Sequence, residues 1–84
     1  MSYRVLIERR AQRALDNLPA TIRQRLEAAI ARLADAPRPS GCLKLQGEEA
    51  WRIRVGDYRV IYEIENEQLI VTVIRVGHRR DIYR

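Results

Sequence analysis

Arg52 and Arg54 alternate with Trp51, Ile53 and Val55, so an extended segment that turns its apolar side chains inward projects both guanidinium groups from the opposite face. Arg59 follows in the next β-rich run. Arg75, His78, Arg79 and Arg80 crowd the end of the last one, ahead of Tyr83 and Arg84. A sheet that aligns these segments gathers a dense cationic cluster on one face. Adjacent like charges destabilise a fold, so a cluster with few carboxylates among it points to a bound polyanion, and a planar guanidinium fork suits phosphate. Arginines also alternate outward on any solvated antiparallel sheet, and the pattern alone leaves that reading open.

Cutting RNA without a metal is one reaction in which such a cluster could serve. It requires a base for the ribose 2′-hydroxyl proton, cations to hold the phosphorane, and an acid for the leaving 5′-oxygen. Arginine fills the second role but, remaining charged, is a poor base. The titratable candidates are His78 and Tyr83. His78 has a reference pKa near neutrality, and neighbouring arginines favour its neutral, base-competent form. Equally, a histidine after a glycine suits a loop residue hydrogen-bonded to backbone. Tyr83, among arginines, can stack on a base, ionise more readily, or simply anchor the terminus.

Other chemistries lack their residues. The carboxylates are scattered over turns and helix faces with no pair for a two-metal site, and there is neither a phosphate-cradling glycine loop nor a serine or cysteine spaced from a base. The single Cys42 excludes an internal disulfide and, with one histidine, leaves no zinc set, so no metal and no cofactor is expected. Trp51 and Tyr62 read as packing residues rather than base-stacking platforms.

The elements that must position these groups follow from periodicity. Tyr3, Val5 and Ile7 share one side of a first strand, which the cluster Glu8-Arg9-Arg10 ends. Ala11, Ala14, Leu15 and Leu18 form a short helical stripe; from Pro19 to Ala34 a longer helix carries Ile22, Leu26, Ala29, Ile30 and Leu33 on one side. The stretch from Asp35 to Gly41 holds Pro37 and Pro39 and is the linker. Leu43 and Leu45 mark a short strand, Gly47-Glu48-Glu49 a turn, and Trp51 to Val55 a second strand reversed at Gly56-Asp57. Tyr58 to Ile64 and Gln68 to Val76 are rich in β-branched and aromatic residues, with Glu65-Asn66-Glu67 as their turn and Gly77 as the stop. The last run is apolar almost throughout, as a strand buried on both faces would be. The fold class is therefore α+β: an N-terminal strand and a two-helix hairpin on one face of a mostly antiparallel sheet, in the order β-α-α-β-β-β-β, the other face at least partly open.

With 84 residues, one domain spanning 1–84 is expected, and a single site must do everything. An apolar fraction of 46% and 32% charged residues fit a globular chain, and no apolar run approaches the roughly 20 residues of a membrane span. The N-terminus lacks the apolar centre of a secretory signal, which makes the cytoplasm the expected location. A net charge of +5 and a pI near 10.1 favour nucleic acid or an acidic protein as partner.

Three ordered blocks resemble the RelE/ParE superfamily of toxins: Leu43-Lys44-Leu45-Gln46-Gly47, the run WRIRVGDYRVIY from Trp51 to Tyr62, and IRVGHRRDIY from Ile74 to Tyr83. The strand and helical hairpin that precede them fit the same plan, so the resemblance spans nearly the whole chain. It implies a cytosolic type II toxin held by a co-encoded antitoxin, reaching operator DNA only through that antitoxin. The RelE branch further implies a ribosome-dependent endonuclease that cuts messenger RNA in the A site without a metal. Carried across by position, the residues implicated are Arg52, Arg54, Arg59, Arg79 and Tyr83. His78 stands beside Tyr83 as a candidate base, and Lys44, Arg75, Arg80 and Arg84 are read as contacts to messenger and ribosomal RNA. Familiar RelE members carry lysines at the positions of Arg52 and Arg54, so a base role does not carry over to that pair. A ParE-like gyrase inhibitor without nuclease activity, or an inactive toxin-fold binding partner, are the rival readings; the arginine cluster and the Gly-His-Arg-Arg-Asp-Ile-Tyr tail argue for the nuclease.

Overall fold

In the computed structural model, which describes residues 2–82, the elements run β1 (Arg4–Ile7), α1 (Arg9–Asp16), α2 (Ala20–Arg32), β2 (Leu43–Lys44), β3 (Trp51–Val55), β4 (Tyr58–Glu65) and β5 (Ile70–His78). β2 to β5 form an antiparallel meander, and β1 lies parallel to β5, giving one sheet in the order β1-β5-β4-β3-β2. The helical hairpin covers one face of it, so the α+β architecture is as the periodicity implies.

Pro19 separates the helices. Lacking an N–H and held at φ −55°, ψ 147°, it stands just outside α2, which begins at Ala20 rather than at Pro19. The far end also differs from the expected Ala34: the N–H groups of Leu33, Ala34 and Asp35 reach the carbonyls of Ile30, Ala31 and Arg32, three residues back, and tighten the chain out of the α-helix. The Ala34 carbonyl then accepts the Tyr3 N–H at 2.6 Å, fastening the linker to the start of β1.

Ala11, Leu15, Leu26, Ala29 and Ile30 bury the helical stripe against Val60, Tyr62, Val71, Val73 and Val76 of the two middle strands. Tyr62 is wholly buried, and its hydroxyl donates to the Pro37 carbonyl at 2.7 Å, which ties the proline-rich linker to the sheet. Burial, reinforced by the adjoining Cys42, pushes the Tyr62 phenol well above its ordinary range. Nearby, the Arg38 guanidinium lies 5.0 Å from the Trp51 ring centroid.

Two strand boundaries depart from expectation. Gly77 does not stop β5, because Arg59 pairs with Gly77 and Tyr58 with His78, carrying the ladder one residue beyond the glycine. The last hairpin turn is not Glu65-Asn66-Glu67: Glu65 pairs with Ile70, and residues 66–69 reverse the chain with Leu69 in the left-handed region at φ 56°.

Candidate active site

Alternation along β3 sets the site. Ile53 joins the core under the helices, Trp51 and Val55 pack against it, and Arg52 and Arg54 project from the opposite face. In register, Arg54 faces Arg59 across the β3–β4 ladder, while Arg52 faces Ile61, whose partner on the other side is Arg75. Directly opposed side chains on neighbouring strands stand about 5 Å apart at Cβ, so Arg52, Arg54, Arg59 and Arg75 share one patch of the open face. Glu63 and Glu65 occupy the same face at the far end of β4, opposite Thr72 and Ile70. The face is thus cationic toward the β3–β4 turn and acidic toward the β4–β5 turn, a separation that concentrates an anion at one end.

A bulge in β5 decides which side chains join the patch. Ile61 pairs with Arg75 but the next residue, Tyr62, pairs with Val73, so β5 carries one extra residue at this point. Ile74 and Arg75 therefore both lie on the open side, and the helix-facing row resumes at Val76 and His78. A shift of one residue inverts every later position of a strand; without it Arg75 would point beneath the helices and His78 outward.

The open face is less open than alternation suggests. After β5 the chain folds back in a turn, with the Asp81 and Ile82 N–H groups donating to the His78 carbonyl at 2.9 and 3.1 Å, and the Arg79 N–H donating to the Asp57 carbonyl at 2.8 Å. Ile82 lands over Gly77, where a Cβ would meet its Cδ1 at 3.4 Å, and joins Ala50, Ile61, Leu45 and Ile74 in a second small apolar cluster. The Arg75 guanidinium holds the Ile82 carbonyl at 3.1 Å. On this face Arg52 is only 6% exposed, and among the described residues its Nε has no hydrogen-bond partner and no carboxylate is paired to it. A buried, uncompensated guanidinium is costly, and an anion that reached it would relieve that cost.

The other candidate residues are placed as follows. The Arg59 guanidinium turns back to the Tyr58 and Gly56 carbonyls at 3.2 and 3.5 Å, while Arg54 is exposed. His78 is not brought to the arginine patch: its register partner is Tyr58, on the helix side, and the two rings meet edge to face at 5.5 Å. Its Nδ1 accepts the Arg80 N–H at 3.2 Å, which leaves any ring proton to Nε2. Lys44 is likewise set apart, opposite Trp51 and paired with Glu49 at 3.4 Å. Arg79 and Arg80 are exposed on the tail turn, and Tyr83 and Arg84 lie outside the described residues. Among the described residues, no three histidine, cysteine, aspartate or glutamate side chains gather closely enough to hold a metal ion. No helix among them is long and apolar enough to cross a membrane.

Ile82, Ile61 and Ala50 were not singled out from sequence as site residues, yet they form a buried cluster that includes Ile61, the register partner of Arg52. The signal lay in Ile82 as the one aliphatic side chain of a polar tail, and in Ile61 falling out of step with the helix-facing Val60 and Tyr62.

Residues 5–83 match the family described as the ParE toxin of the type II toxin-antitoxin system parDE. The chain is similar to the RelG toxin of Mycobacterium tuberculosis, 36% identical over 100% of this chain and 99% of that protein. It is also similar to the mRNA interferase toxin RelE of Escherichia coli, 29% identical over 94% of this chain and 85% of the relative. Its fold superposes on the toxin of the archaeal RelE–RelB complex from Pyrococcus horikoshii with a TM-score of 0.84 at 30% identity, covering 96% and 99% of the two chains.

Proposed function

Because this chain belongs to the RelE/ParE superfamily of type II toxins, on its RelE-like branch, we propose that it is a ribosome-dependent endoribonuclease that cuts messenger RNA in the A site without a metal. The observation that carries this reading is the placement of Arg52, Arg54, Arg59 and Arg75 on one face of the sheet by the strand register, with Arg52 buried and without a salt-bridge partner among the described residues. Relatives named as mRNA interferases support it.

In this scheme Tyr83 takes the proton of the ribose 2′-hydroxyl, and the 2′-oxygen attacks phosphorus. Arg52, Arg54 and Arg59 hold the non-bridging oxygens while the bond from phosphorus to the 5′-oxygen breaks, and Arg79 stabilises or protonates the departing oxygen. The products are a 2′,3′-cyclic phosphate and a 5′-hydroxyl. The His78 ring, turned toward Tyr58, favours Tyr83 over His78 as the base. Arg75, Arg80 and Arg84 contribute longer-range attraction to messenger and ribosomal RNA, whereas Lys44, held by Glu49, is the weakest member of that set. The protein acts in the cytoplasm, and its activity is held in check by a cognate antitoxin, the kind of partner seen in the RelE–RelB complexes it resembles.

Mapping 5′ ends in a purified translation system tests the proposal. Cuts within the A-site codon, present with ribosomes and absent from the same free messenger, are expected; an intact messenger on stalled ribosomes would overturn it. The Tyr83→Phe variant is expected to lose cleavage and His78→Gln to retain it. A gyrase inhibitor is the second reading, favoured by the ParE description of the matching family. Loss of DNA supercoiling by gyrase on addition of the protein, with messenger left intact, would select it.

A further inference from the structure

A second cationic feature lies on the flank of β3, and of its arginines the scheme above uses only Arg54. Between α2 and the edge of β3 runs an open groove of about 380 Å³, with Arg25 and Arg32 from the helix, Arg54 from the strand, and Ala28 and Ala29 between them. It exists because β2 pairs only with Trp51 and Arg52, so no strand lies beyond Ile53 to Val55. Arg25 and Arg32 are seven residues apart, two helical turns and roughly 10 Å of rise on the same side of α2. Glu27, two positions from Arg25, falls roughly 200° around the helix, away from the groove. The Arg25 guanidinium closes over the β3–β4 turn, its Nη2 3.6 Å from where a Cβ on Gly56 would stand. None of the three arginines has a carboxylate partner among the described residues, and no carboxylate lines the groove.

Three guanidinium groups on a concave wall lined by no carboxylate, with Asp57 in the adjoining hollow but in no salt bridge with Arg25, fit a run of phosphates. The lining also selects the form of nucleic acid. Single strands are gripped by stacking their bases on aromatic rings, and no aromatic side chain lines this groove. Double-helical RNA hides its bases and presents a ridge of phosphates and 2′-hydroxyls, which arginines can follow. Arg54 is common to the groove and to the strand row of the open face, so the two cationic surfaces are continuous around the β3 edge. We propose that the α2–β3 groove seats the phosphate backbone of a double-helical segment of ribosomal RNA and thereby docks the protein beside the strand it cuts. This rests on the preceding reading only for the identity of the RNA.

Binding of a short RNA duplex across a salt series, followed by fluorescence anisotropy, tests the groove without requiring cleavage. The double variant Arg25→Gln with Arg32→Gln is expected to weaken duplex binding about tenfold and to lower the slope of log affinity against log salt by about 2. Arg9→Gln with Arg13→Gln removes the same charge from exposed positions of α1 and is expected to change affinity less than about twofold. Thermal unfolding of both variants confirms that they are folded. Equal effects from the two pairs would overturn the proposal. So would a loss confined to a single-stranded RNA oligonucleotide or to an acidic peptide. Intact duplex binding by the wild type with no cleavage on ribosomes would instead remove the nuclease reading and leave the groove standing.

Discussion

Val60 and Ile61 are neighbours on β4 and equally buried, but they belong to different structures. Val60 sits in the main core beneath the helices, and Ile61 in a small cluster with Ala50 and Ile82 on the opposite face. The polar atoms near each differ as well. In the main core the Tyr62 hydroxyl finds the Pro37 carbonyl, whereas on the opposite face the Arg52 Nε finds no partner among the described residues. Arg54 and Arg59 stand directly opposed on that second face, like charges at the separation where they repel. One face is built for stability; the other holds cations that no salt bridge among the described residues offsets.

The largest effect expected of this contrast is on the covered face. Leu26→Ala, at a fully buried position, is expected to cost about 3 kcal/mol of unfolding free energy, measured by chemical denaturation. Arg54→Gln and Arg59→Gln should each slow single-turnover messenger cleavage about 10- to 100-fold, with a denaturation midpoint that is unchanged or higher because the opposed charges are relieved. A fall in midpoint with unchanged cleavage would break the division between the faces. Ile82→Ala is expected to cost about 1 kcal/mol, less than Leu26→Ala; equal costs would make the second cluster part of the main core.

The smallest effect concerns Tyr62. Its phenol ionises near the ordinary 10.0 when unfolded but keeps its proton to higher pH when buried. The folded state then holds a proton that the unfolded state releases, so stability is present below pH 10.0 and declines as pH rises beyond it. Tyr62→Phe is expected to lose about 1 kcal/mol at neutral pH with the hydrogen bond to Pro37, and to flatten the alkaline decline. Denaturation midpoints taken on either side of that pH check both parts.

What could be read from the chain follows from which signals are periodic. The stripe Leu26, Ala29, Ile30 and Leu33 and the alternation Trp51, Arg52, Ile53 and Arg54 repeat at the spacing of their elements, so the hairpin and the shared face of Arg52 and Arg54 are visible without coordinates. The bulge after Val73 is not, because neither Ile74 nor Arg75 is a residue type that marks one, yet this single insertion puts Arg75 on the site face and removes His78 from it. The side that Lys44 faces is not legible for a related reason: a two-residue strand gives too little alternation to fix it. The small cluster beside Arg52 depends on a non-periodic contact, the tail returning Ile82 to the sheet, which local pattern does not encode.

Arg52→Met brings these points to one measurement, because it replaces a buried guanidinium, whose Nε has no hydrogen-bond partner among the described residues, with an apolar side chain of similar length. Denaturation and single-turnover cleavage on programmed ribosomes are read on the same preparation. Stability that is equal or up to about 1 kcal/mol higher, together with cleavage slowed about 100-fold or more, is the predicted result. A variant that cleaves at the wild-type rate, or one whose lost activity is matched by lost stability, would contradict the assignment of this face to RNA.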